Sequence, residues 1–335
     1  MAHGMTKVTA CASWIAAMAN ITKKPLDSHS EGTQAAVLEL ILSKVGSLHR
    51  RAVEFGFGYT PVKDKHLHLR GLRLLQHNTG LNTYDLRLKG WNVTYFDALI
   101  EDDEAGIRKA VLSEENIVEH FVSAGTPRDV DYVSIDVDSI DVWLLRALLL
   151  GDYRPRILSV EFNPNFAPEM MITCERVWHE WSRRTVFGAS AAAINLVADM
   201  YGYEAVYVAR SLPGSDIFFV RSDLLRAAGC ARTSFAQLAA HLPFRAHRTC
   251  TRADAMRLRD LPLSLLGLEE AARRRAWEQI AHLERYGYRG GPLSPRGYHG
   301  SAISFQTNPV CNLSGLLEET SAAEGPLAAN ANTSL

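Results

Sequence analysis

Residues 34–225 predict an α/β fold: a Rossmann-like, seven-stranded, mostly parallel sheet with a terminal antiparallel hairpin. Three observations carry this. Five apolar runs of strand length alternate with helical stretches, and strands separated by helices imply a parallel sheet covered on both faces. Two further runs, Tyr203 to Ala209 and Ile217 to Val220, are joined through Pro213-Gly214, a connection short enough for antiparallel pairing. Several of the runs also end in acids. In an open α/β sheet ligands bind at the carboxyl ends of the strands.

The elements follow in order. Residues 34–49 carry apolar side chains at helical spacing. Arg51-Ala-Val-Glu54-Phe-Gly56-Phe-Gly58 then turns from strand to glycine-bearing loop. Residues 60–80 are polar, with His66, His68 and His77, and read as a long loop whose histidines face solvent. Asn82 is placed to cap the next helix with its side chain, and Gly90 to close it. Val93 to Asp97 is a strand ending in an acid. A helix is expected near Asp103 to Leu112 and a strand near Ile117 to Val122.

The stretch 131–143 holds the most information. Tyr132, Val133 and Ile135 form a buried strand tipped by Asp136, Asp138 and Asp141. Carboxylates are costly to desolvate and are not left at a buried strand end without a partner. Asp141, just ahead of Val142-Trp143, reads as a helix cap, which leaves Asp136 and Asp138 for chemistry. A helix across Val142 to Leu150 leads to a strand at 157–162 that ends in Glu161 and Asn163, and Ser190 to Tyr201 is a further helix.

Composition sets the limits. The chain has 335 residues, 47% hydrophobic and 22% charged, with a net charge of −1, the profile of an ordinary globular protein. This gives no footprint for nucleic acid, and no apolar run reaches the roughly 18 residues of a spanning helix. Five scattered cysteines without CxxC spacing favour free thiols in a reducing compartment, so the expected location is the cytoplasm. Met1 to Lys24 has no acid and a weak apolar segment. A short helix packed on the domain is favoured there over a signal or transit peptide.

Four segments result: an N-terminal stretch (1–33), the Rossmann-like domain (34–225), an Arg-rich, mostly helical extension (226–317) and a tail (318–335) whose Ala, Asn and Ser content predicts disorder. Residues 226–300 contain 13 Arg, no Lys and 6 acids; arginines paired to neighbouring acids are the first expectation, an anionic partner surface the second.

The order Val53-Glu54-Phe-Gly56-Phe-Gly58, Asn82-Thr83-Tyr-Asp-Leu, Gly90-Trp91, Asp97, Ser134-Ile-Asp136-Val-Asp138, Val160-Glu161-Phe-Asn163-Pro and Gly188-Ala-Ser190 resembles the FkbM-like branch of class I S-adenosylmethionine-dependent methyltransferases. The resemblance spans roughly 34–225 and implies a sheet whose last strand is reversed. It implies that Glu54 faces the methionine end of S-adenosylmethionine and that Gly56 and Gly58 let backbone approach the cofactor. Asp97 would accept the ribose hydroxyls. It lies 39 residues after Gly58, and an insertion at 60–80 accounts for the excess. Tyr59 stands where the family's third glycine is usual, and Ser139-Ile140 follows the second carboxylate in place of the family's usual Gly then Asn or Asp.

With strands four and five adjacent, Asp136, Asp138, Glu161 and Asn163 would converge as the catalytic group. They could serve as a general base or as hard oxygen ligands for a divalent cation such as Mg²⁺ or Mn²⁺. Residues 165–187, with Trp178, His179 and Trp181, would wall the acceptor pocket or pack in the core. The leading expectation is O-methylation of a small-molecule or sugar-like acceptor. A non-catalytic binding protein using the Arg-rich extension is the alternative, and metal-assisted hydrolysis a weaker third.

Overall fold

The computed structural model describes residues 32–56, 80–164, 166–167, 169–179, 188–208, 216–230, 234–239 and 252–286, with residues 17, 18, 21, 29 and 30. Gly58, Tyr59, the three histidines of the 60–80 loop, Asn165, Trp181, the Pro213-Gly214 turn and the 318–335 tail lie outside these residues.

Helix α1 (Gln34–Val45) leads into β1 (Arg51–Phe55), and α2 (Tyr84–Leu88) into β2 (Asn92–Asp97). Strand β3 (Ile107–Lys109), α3 (Ile117–Ser123), β4 (Tyr132–Ile135), α4 (Asp141–Leu150) and β5 (Ile157–Glu161) follow. Next come β6 (Ile172–Cys174), α5 (Ala191–Met200), β7 (Tyr203–Val208) and β8 (Asp216–Arg221). The chain continues through α6 (Ser222–Ala227), α7 (Phe235–Ala239), α8 (Arg252–Arg257), β9 (Leu258–Asp260), α9 (Leu261–Leu265) and α10 (Glu269–Tyr286).

Seven strands form one sheet in the order β3-β2-β1-β4-β5-β8-β7. All its pairings are parallel except those of β8, which runs against both β5 and β7. The expected α/β fold and reversed last strand are therefore present. One face packs Val53, Phe55, Val133, Ile135, Leu158 and Val160 against α3, α4 and α5. The opposite face packs Ala52, Tyr95, Tyr132, Ile157 and Phe218 against α1 and α2. Helix α4 is buried along nearly its whole length, which its run of leucines and Trp143 requires.

Two elements differ from expectation. The third strand is Ile107–Lys109, inside the stretch that reads as a helix, and Ile117–Ser123 is helical rather than extended. Ile117 and Phe121, four apart, share one buried face while Val122 stays exposed, a 3.6-residue period hidden in a segment rich in β-branched residues. Asn82 does not cap α2 with its side chain, whose Nδ2 donates to Ser134 Oγ (3.1 Å).

The C-terminal extension does not stand apart. Helix α6 crosses the boundary placed at residue 225, and β9 returns to pair antiparallel with β6, between β5 and α5. The two short strands, α8 and α10 enclose their own core of Phe166, Met170, Ile172, Ala255, Trp277 and Ile280. Several arginines of the extension pair with acids: Arg259 with Glu175 and Glu269, Arg273 with Glu270, Arg275 with Glu278. Among the described residues no helix is long and apolar enough to cross a membrane. Cys174 is a buried free thiol and Cys230 is disulfide-bonded, so the expectation of free thiols holds for the first and fails for the second.

Candidate active site

The sheet register builds the site. Phe96 pairs with Phe55, Phe55 with Ile135, Ile135 with Val160, and Glu161 with Asp216. The residues that follow on the parallel strands, Asp97, Gly56, Asp136 and Glu161, therefore fall at one level along the carboxyl edge. Because β8 is reversed, its first residue, Asp216, lies at the same level.

Asp136, Asp138 and Glu161 meet there: one carboxylate oxygen from each lies within 4.8 Å of the others. Glu161 and Asp136 share a hydrogen bond. Burial first, and then the negative charge of its neighbours, pushes each of these two carboxyl groups well above the ordinary carboxylate range. For Asp136 the neighbours are Asp138, Asp216 and Asp141; for Glu161 they are Asp136, Asp138 and Asp141. Two such acids share a proton, and both can ionise only when a cation stands between them. Glu161 Oε2 is buried and has no hydrogen-bond partner among the described residues. Asn163 is fully buried, and its backbone N–H donates to the Ala189 carbonyl (2.8 Å), tying the end of β5 inward.

The loop carrying Asp136 and Asp138 is held from two sides. Asp138 has φ +56°, a left-handed conformation that Asp tolerates better than most residues. Asp141 is not a helix cap. Its Oδ1 accepts from the Val137 amide (2.7 Å) and its Oδ2 from the Ser139 amide (3.0 Å), so it clamps the loop on either side of Asp138. Burial raises the Asp141 pKa to about 6 despite these bonds. From the other side, Ser139 Oγ accepts the His179 amide (3.0 Å) and lies 3.1 Å from His179 Nδ1. His179 is buried, whereas Trp178 beside it is 47% exposed and belongs to no core.

The residues expected to hold a cofactor divide. Glu54 is buried on β1 and its oxygens are occupied: Oε1 accepts from the Asn82 amide (2.7 Å), and Oε2 from the Thr83 amide (3.0 Å) and the Thr83 hydroxyl. It holds the start of α2 against the sheet. Gly56 has φ +86°, and a Cβ there would stand 1.1 Å from the Asp136 carbonyl oxygen. Its missing side chain thus lets two strand ends meet, a packing requirement that holds with or without a ligand. Asp97 ends β2 with both of its hydrogen bonds on Oδ1, from the amides of Leu99 (2.6 Å) and Ile100 (2.9 Å). Burial raises its pKa, and Oδ2 makes no hydrogen bond to a described residue.

Two contributors were not singled out as site residues from sequence. Asp216 falls one residue before the strand read at 217–220, and only the reversal of β8 brings it to the mouth. The same signature that marks Asp136, an acid abutting an apolar run, was present there. Ser139 had no such signal, since its role depends on a partner forty residues away. No protein-family model matches the chain, and no curated protein matches it.

Proposed function

We propose that the protein is an S-adenosylmethionine-dependent methyltransferase resembling the FkbM-like branch, acting on an oxygen of a small-molecule or sugar-like acceptor. Its carboxylate cluster would hold a divalent cation against that oxygen. The observation that supports this best is the meeting of Asp136, Asp138 and Glu161 at the carboxyl edge, level with Asp97, in a sheet where β8 alone is reversed. The inference from fold to chemistry is by analogy; the inference from the cluster to a cation rests on its donors.

Those donors are hard carboxylate oxygens, the set that suits Mg²⁺, Mn²⁺ or Ca²⁺. The orphaned, buried Oε2 of Glu161 has a use once a cation replaces the shared proton. Asp97 Oδ2 is the group on β2 left to receive a ribose hydroxyl. Glu54, with both oxygens engaged, would place α2 and not touch the ligand. When bound, S-adenosylmethionine supplies the methyl group that leaves its sulfonium sulfur for the acceptor oxygen. The acceptor's proton, made more acidic by the cation held against its oxygen, would pass to water, because carboxylates that bind the cation are not free to take it.

Calorimetry with S-adenosylmethionine and S-adenosylhomocysteine tests the cofactor. Asp97→Ala should weaken both by about tenfold or more, the scale of a lost hydrogen bond to a charged group. Binding of neither ligand to the wild-type protein would overturn the methyltransferase reading. Mn²⁺ titration tests the cation: Asp138→Asn should bind at least roughly tenfold more weakly, and equal affinity would remove the metal. Mn²⁺ binding without S-adenosylmethionine binding would favour the second reading, metal-assisted hydrolysis, which the cluster supports without help from Glu54 or Gly56.

A further inference from the structure

Residues 175–179 form a short strap between the C-terminal lobe and the acid-bearing loop. On the lobe side, the Glu175 amide donates to the Arg257 carbonyl (2.8 Å), and the Glu175 carboxylate pairs with Arg259 (3.2 Å). The Arg176 guanidinium donates to the Ser264 carbonyl (2.9 Å) and lies 4.5 Å over the Trp143 ring of α4. On the site side, His179 closes on Ser139 through both its amide and its ring. Ser139 is the residue after Asp138. Its Oγ accepts the His179 amide and shares a second hydrogen bond with Nδ1, whose donor is set by the His179 tautomer.

We propose that His179 is a positioning residue: docked through the β6–β9 lobe, it fixes Ser139 and thereby holds Asp138 in the left-handed conformation that brings it to Asp136 and Glu161. This inference rests on the cation reading of the cluster, yet the tether itself is a separate structural fact. Asp141 fastens the amides of Val137 and Ser139 from below. The Ser139–His179 pair fastens the hydroxyl of the same loop from the other side. With one of the two removed, the loop that sets Asp138 at φ +56° is held at fewer points.

The imidazole can be tested atom by atom in the full-length protein. Asparagine places its side-chain amide near the position of Nδ1 and can still pair with the Ser139 hydroxyl, through its oxygen or its nitrogen, whereas alanine cannot. Hydrogen exchange at the Val137 and Ser139 amides should rise by about fivefold or more in His179→Ala, the factor expected for one lost buried hydrogen bond, and much less in His179→Asn. Ser139→Ala should reproduce the alanine effect, and adding it to His179→Ala should cost little more, because both remove one interaction. Mn²⁺ affinity should fall in the same order across the variants. Unchanged exchange in both alanine variants would overturn the proposal, as would His179→Asn behaving like His179→Ala. If the wild-type protein binds no Mn²⁺, the cation reading fails and the exchange measurement still decides the tether. Should His179→Ala not fold, the Ser139→Ala and His179→Asn proteins carry the comparison.

Discussion

The Glu54 carboxyl is buried against the first turn of α2, and desolvation outweighs the hydrogen bonds it accepts, pushing its pKa to about 7 from an ordinary 4.5. Because the folded value lies above the unfolded one, the native state keeps its proton while the unfolded chain loses it. Stability from this group is thus whole below about pH 4.5 and falls as pH rises toward 7, by roughly 3 kcal/mol in all. Urea unfolding of Glu54→Gln should show a shallower loss of stability across that window than wild type. Superimposable pH profiles would mean that Glu54 is not the group titrating. Gly56 makes a second prediction at this scale. Gly56→Ala combines a left-handed φ with a Cβ driven onto the Asp136 carbonyl, so it should destabilise by about 3 kcal/mol or more. An unshifted melting temperature would show that the ends of β1 and β4 can part freely. The sequence revealed Asp136, Asp138 and Glu161 for a physical reason: a charge ending an apolar run needs an explanation. It misjudged Asp141 and Asn82 because the side chain of one and the backbone of the other bind partners that helix-capping rules do not foresee.

At the level of elements, long buried segments were legible and short ones were not. Helices α1, α4 and α5 and strands β1, β2, β4 and β5 each carry enough apolar residues to show a period. Strand β3 has three residues, held by the β2 edge, and no period can be seen in so few. Strands β6 and β9 are equally short, and each exists because the other is there. Neither can be found by reading its own neighbourhood. The lobe they organise depends on Trp277, which is buried against Ile280 and Ala255 and donates from Nε1 to the Ala255 carbonyl (2.8 Å). Trp277→Ala should cost about 3–5 kcal/mol, felt first in the lobe. Hydrogen exchange should speed up in β6, β9 and α10 while β1, β4 and β5 stay protected; uniform loosening of the whole sheet would contradict a lobe with its own core.

Over the whole molecule a net charge of −1 conceals an uneven distribution of charge. Asp97, Asp136, Asp138, Glu161 and Asp216 gather at the carboxyl edge of the sheet, whereas at the opposite edge Arg156 is paired with Asp131 and Arg221 with Asp223. A cleft lined by one sign of charge concentrates ions of the other, so the mouth is suited to cations before any ligand is considered. Composition could not show this, because it sums over the whole chain. The parallel pairing of the strands, by contrast, follows from alternation of strands and helices and was readable. The late return of β9 has a consequence for how the protein is made. The seven-stranded sheet is complete once Arg221 has left the ribosome, but the partner that secures β6, and with it the strap to Ser139, is synthesised only at Leu258. Each nascent chain therefore passes through a stage with a finished scaffold and an unfastened site. A chain that stops before Leu258 would keep the sheet and leave β6 without its partner.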